Sequence, residues 1–299
     1  MSLQNLILFG LVASALLNLF SIGLTASLQD ATYLFRRPRE LARALLAMNV
    51  LMPLFAIALI SIFDFHPAVR IALVALSLSP IPPPVPAKEV KSGGHASYVM
   101  GLHVAIGVLA IIFVPLAMAA IGRVRGIELE TSIARVATVV FISILIPIAV
   151  GIFVHKRAPA FADSVAKPLT SISGIAMLAC VVVVWIASAP TMWLLIGNGT
   201  AIALAAFALV GLAVGHVLGG PVPQNRTALA IATASRHPGI ALILAKANFP
   251  AETFVGPALL LYLLVNAVVA IPYLLWTKRR QLPLEDQGDV ADEIASKIE

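Results

Sequence analysis

The sequence predicts an all-α polytopic membrane protein. First, 60% of its 299 residues are hydrophobic and only 11% are charged, against roughly 45–50% and about 25% in ordinary soluble domains. A soluble fold of this length has no interior large enough for that much apolar surface. Second, apolar stretches long enough to span a bilayer, about 20 residues, recur along the chain with short polar connections. Third, the basic residues lie in those connections and form no single patch. The net charge of +6 therefore marks topology, not nucleic-acid binding.

Nine spans are expected, at 4–27, 41–63, 67–93, 95–121, 132–154, 168–188, 194–219, 227–247 and 254–276. They leave one transmembrane domain over 1–277 and a polar tail over 278–299. The first span lacks a basic start and is long enough to cross, so it reads as a span and not as a cleaved leader. The second follows a basic loop holding Arg36, Arg37, Arg39 and Arg43. Cys180, the single cysteine, lies within the sixth, so no disulfide framework exists. In the seventh, Gly211, Gly215 and Gly219 recur every four residues, which suits a close helix crossing; glycine is also simply common in membrane helices. Trp193, Tyr273 and Trp276 stand near span ends, where amphipathic rings prefer to sit.

Orientation follows the Lys and Arg bias. One side collects the first-loop arginines, Lys88, Lys91, Lys156, Arg157, Lys167, Arg226, Lys278, Arg279 and Arg280. The other holds only Arg70, Arg123, Arg125, Arg135 and Lys246. The richer side is expected to be cytoplasmic. This puts the N-terminus outside and the C-terminus inside, in a plasma (inner) membrane.

Two spans are interrupted. In SPIPPPVPAKEVKSGG, Pro80, Pro82, Pro83, Pro84 and Pro86 occupy five of seven positions. Proline removes a backbone donor and clashes with the preceding turn, and in hydrocarbon the freed carbonyls need partners. At about 1.5 Å per residue, unwinding begins roughly 20 Å into the third span. The eighth is broken by Pro238 and Gly239 in ALAIATASRHPGIALILA, directly after Thr233, Ser235, Arg236 and His237. An arginine at mid-membrane costs about 2.5–3.5 kcal/mol on insertion scales, so Arg236 must face a cavity or a partner. Two proline-interrupted segments in corresponding halves point to a transporter site. The spans hold no paired carboxylates, no Cys/His metal spacing and no Ser–His–Asp grouping. The chain therefore does not read as an enzyme, and neither a cofactor nor a metal site is expected.

The residues FSIGLTASLQDATYLFRRP (20–38), MNVLMP (48–53), the passage from Ser79 to Gly94, and ALAIATASRHPGIALILAKANF (228–249) resemble the bile acid:sodium symporter family of the bile/arsenite/riboflavin transporter group. The resemblance implies inverted repeats, a core and a panel domain, and two broken helices crossing near the midplane. It also implies alternating-access transport of small organic anions with sodium bound beside the crossing. Where the family supplies sodium ligands, this chain has Val85 and Pro86, His103, Ala232, Arg236, and Met48 beside Asn49. The oxygens and the carboxylate that a hard cation prefers are replaced, and a fixed cation has arrived.

Arg236 is thus expected to act as a resident cation, bridging carbonyls that an unwound helix leaves open. Transport would be uncoupled from sodium, or linked to protons through His103 or His237. Glu89 is a candidate partner for Arg236 or a proton carrier, and Lys88 and Lys91 could attract an anion at the cytoplasmic mouth. An ordinary solvated loop is the alternative for Lys88, Glu89 and Lys91, and an ordinary carbonyl bond is the alternative for His103. Two other functions stay open: a conventional sodium-coupled symporter, and a transport-inactive homologue acting as sensor or scaffold.

Overall fold

A computed structural model describes residues 3–126, 129 and 132–281, and every regular element among them is helical. The elements in order are α1 (Leu3–Gly23), α2 (Leu28–Ala31), α3 (Pro38–Ile62), α4 (Pro67–Leu78), α5 (Val85–Lys91) and α6 (Ala96–Arg125). There follow α7 (Ile133–Arg157), α8 (Pro159–Trp193), α9 (Thr200–Leu218), α10 (Pro223–Ala234), α11 (Pro238–Asn248) and α12 (Val255–Gln281).

The ends have local causes. A capping box between Ser27 and Asp30 opens α2. Prolines at 38, 67, 159, 223 and 238 stand in first turns, where their missing N–H is not needed. The His66, His95 and His237 side chains each accept a first-turn N–H, capping α4, α6 and α11. Gly126, at φ 67°, ends α6 in the left-handed region.

Eight helical segments among the described residues are long and apolar enough to cross a membrane, with α10 and α11 together forming one of them. The expected third span is not a ninth long helix. Its apolar part is the 12-residue α4, and α5 resumes after the proline run. Two boundaries differ from expectation. The sixth span starts at Pro159, so Lys167 lies within α8 and not in a connection. The last continues through Lys278 to Gln281, because that basic final turn complements the helix C-terminus. The rest of the expected tail lies outside the described residues.

The helices pack in two groups. In one, α1 lies against α8 and the second half of α7. Gly23 and Gly151 face each other there: a Cβ on Gly23 would come within 2.6 Å of the Ile148 carbonyl oxygen. Ser21 and Thr170 hydroxyls bond at 2.8 Å across this seam. The outer face of α8 exposes Ile172, Ile175, Leu178 and Ile186, a surface suited to lipid. In the other group, α9 packs on α10, α4 on α11, and α12 on both α9 and α4. The glycine stripe of α9 settles its two readings: Gly211, Gly215 and Gly219 lie against the backbone of α10, and a Cβ on Gly211 would sit 2.9 Å from the Ala234 Cα. The largest apolar core centres on this group, around Phe207, Tyr262, Leu73 and Leu76, and draws in Met52 of α3, Val114 of α6 and Val140 of α7.

Candidate functional site at the helix crossing

The two interrupted segments meet. Ser79 (φ −76°, ψ 146°) and Ser235 (φ −97°, ψ 127°) each leave their helix in extended conformation. The His237 N–H donates to the Pro80 carbonyl at 2.9 Å, which ties one break directly to the other. The prolines supply what the crossing uses: residues 80–84 form no regular helix, and although the Pro82 carbonyl accepts the Val85 N–H, the Pro80 carbonyl remains available to a neighbour.

Arg236 occupies the centre. It is 1% exposed and the largest fully buried side chain among those described. Its Nη1 donates to the Ser79 carbonyl at 3.2 Å and its Nη2 to the Met48 carbonyl at 3.1 Å. Both acceptors are orphans for a reason. Ser79 is the last residue before the proline run. Met48 lies in a π turn of α3, Leu46–Leu51, where each carbonyl pairs with the N–H five residues on; for Met48 that residue is Pro53, which has none. The guanidinium therefore closes two gaps that prolines open in two different helices.

The second break has its own closure. The Tyr262 hydroxyl on α12 donates to the Ala234 carbonyl, the last of α10. Sequence reasoning missed Tyr262, because a tyrosine within an apolar span reads as packing until its partner is known. It missed the Met48 carbonyl too, although the Met48–Pro53 spacing carries the signal.

The other expected site residues fall as follows. Thr233 is buried, and its hydroxyl donates to the Leu229 carbonyl four residues back at 2.7 Å. Ser235 is buried at the break. His237 is half-buried; its Nδ1 accepts from the Ile240 N–H, which puts the hydrogen of the neutral ring on Nε2. His103 is 1% exposed, and the Pro82 backbone and His237 are the polar groups beside it, yet neither ring nitrogen reaches hydrogen-bond geometry. Asn49 is half-buried next to Met48. Arg236 Nε and His237 Nε2 are likewise buried without a hydrogen-bond partner among the described residues. The crossing thus holds more polar capacity than the protein satisfies, a pattern that calls for an explanation.

Two expectations are corrected. Glu89 does not partner Arg236, whose hydrogen bonds go to carbonyls. Nor do residues 88, 89 and 91 form a solvated loop: they lie on α5, where Lys91 is exposed but Lys88 is half-buried and the Glu89 carboxylate is fully buried, with no hydrogen-bond partner among the described residues. Amphipathic placement explains this, because α5 packs one face on α10 and α6.

Arg236, His103, Thr233, Ser235 and His237 line none of the three principal cavities. The largest, about 750 Å³, lies at the far ends of α4 and α11 beside Arg70 and Glu252. A second, about 280 Å³, lies between α1, α2, α5, α6 and Thr170 of α8, and is lined by Ser21, Thr25, Asp30, Thr170, Lys91 and Ser97. Within it, burial raises the Asp30 pKa, but bonds from the Ser27 and Ser97 hydroxyls outweigh that effect and hold the carboxyl below its usual range.

The Sodium Bile acid symporter family matches residues 14–194, more than half of the chain. The chain belongs to the sodium bile acid symporter family. It is accordingly an integral membrane protein of a transporter family, in keeping with its eight apolar segments. The matched stretch contains the proline break and stops before the second break. Human P3 protein is 27% identical over 233 residues, covering 75% of this chain and 48% of that protein. Mouse P3 protein shares the same identity and bovine P3 protein 26%, with the same coverage. The chain spans about half the length of the curated relatives it matches.

Proposed function

We propose that the chain moves small organic anions across the plasma membrane by alternating access, independently of sodium or linked to protons, with Arg236 serving as the resident cation of the crossing. The observation that carries this reading is the pair of bonds from the Arg236 guanidinium to the Ser79 and Met48 carbonyls. A metal ion at a helix crossing neutralises backbone oxygens and joins the broken segments. Here a side chain that is always charged does both, so no ion need be bound before the crossing is complete.

The remaining roles follow from placement. The packing of α1 on α8 and on the second half of α7 supports a panel, and the packing of α9, α10, α4, α11 and α12 on one another supports a core, with α6 on the first half of α7 and α8 on α12 joining the two. The cavity where α1 and α8 meet α2, α5 and α6 supports a substrate path, with Lys91 as its attracting charge beside the acidic Asp30, and Thr170, Ser21 and Thr25 as hydroxyl contacts. His103, His237 and Glu89 are the groups through which a proton would couple. The basic connections support a cytoplasmic C-terminus.

The test is uptake of organic anions into proteoliposomes in sodium and in choline buffer, with and without an inward proton gradient. Uptake in choline equal to that in sodium is expected. Strong sodium dependence that survives Arg236→Gln overturns the resident-cation reading and restores a conventional symporter. Absence of counterflow with every anion tried identifies a transport-inactive homologue.

A further inference from the structure

A third cavity, about 560 Å³, lies where the end of α9 meets the first turn of α10 and the last turns of α12. Arg226, Arg280, His216, Gln224, Thr227 and Trp276 line it, and no Asp or Glu does among the described residues. All the charge here is therefore of one sign. We propose that this pocket binds a phosphate-bearing anion, with the headgroup of an anionic phospholipid as its ligand.

The residues are held in place for this. Arg226 Nε donates to the Gly220 carbonyl, which fixes the direction of its fork. Arg280 lies over the Trp276 ring, 4.4 Å from its centroid, so its guanidinium is stacked and not swept through solvent. His216 Nδ1 and the Tyr273 hydroxyl bond at 2.9 Å and pack with Trp276. These contacts order the wall between the two arginines. Planar guanidinium forks match phosphate oxygens in paired hydrogen bonds.

Location favours a lipid over a soluble ion. Trp276 and Tyr273 are rings at a span end, the level of lipid headgroups, and Lys278 and Arg279 follow on the same helix end. Basic pockets between membrane helices on the positive side suit anionic headgroups. The residue after the α5 turn, Gly93, also borders the cavity. A bound headgroup would therefore join α9, α10 and α12 to the loop that ends the first broken span.

The test is thermal unfolding of the full chain in detergent micelles with added phosphatidylglycerol, phosphatidylcholine or inorganic phosphate. A rise of roughly 5 °C with phosphatidylglycerol over phosphatidylcholine is expected at ligand well above its Kd. Arg226→Gln/Arg280→Gln is expected to abolish it, and Lys278→Gln/Arg279→Gln, with the same charge change, to keep it. Because Arg226 also holds Gly220, Arg280→Gln alone is the second variant, and it must at least halve the rise. An equal rise with inorganic phosphate keeps the site and assigns it to a soluble phosphate. A rise lost equally in both double variants is general surface charge and overturns the proposal, as does no rise with either phosphate source.

Discussion

The two breaks do opposite chemical work. The first, at residues 79–84, is built from prolines and contributes only acceptors: the Ser79 carbonyl receives Arg236 and the Pro80 carbonyl receives the His237 N–H. The second, at residues 235–237, contributes the donors. Its own exposed acceptor, the Ala234 carbonyl, is closed from a third helix by Tyr262. A crossing of two acceptor-rich breaks would need a cation to hold it. A crossing of an acceptor with a donor can be joined by the polypeptide alone, and this asymmetry is what supports the proposal that Arg236 stands in for a bound ion.

The comparison can be broken most severely at Arg236. Arg236→Gln removes a donor pair and orphans two buried carbonyls, each worth about 1–3 kcal/mol. A loss of about 2–6 kcal/mol is expected, read as a fall in Tm of roughly ten degrees in detergent. A fall of a degree or less would show that the crossing does not depend on its donor side. Next in size is Tyr262→Phe, which leaves the Ala234 carbonyl unpaired in a dry core and should lower stability by about 1–3 kcal/mol. A neutral result would mean that the second break needs no closure from α12. The smallest effect sharpens the cause of the Met48 acceptor. Pro53→Ala restores the N–H that the π turn lacks, so the penalty of Arg236→Gln should shrink by about 0.5–1.5 kcal/mol in the Pro53→Ala background. Strict additivity of the two substitutions would show that the Met48 carbonyl is freed by something other than Pro53.

Much of this was legible in the chain. The breaks at Pro80–Pro86 and at Pro238–Gly239 follow from proline chemistry, and the interior position of Arg236 follows from the cost of a charge in lipid. The glycine stripe at 211, 215 and 219 allowed a close crossing without deciding for it or giving its partner. Less legible was Glu89. Flanked by Lys88 and Lys91, it reads as solvated or as the counter-ion of Arg236, yet α5 turns it inward while the guanidinium spends its donors on carbonyls. Local charge does not say which face of a seven-residue helix meets the core.

Composition and periodicity by themselves determined a helical membrane protein, because apolar runs of bilayer length admit no other backbone whose polar groups are satisfied. They also determined where that backbone fails, since proline has no N–H in any context. Tertiary structure alone decided which carbonyls Arg236 reaches. Met48 lies 188 residues away and Ser79 lies 157 away, and a hydrogen bond depends on a separation of a few ångströms that only the packing of α3, α4 and α10 brings about.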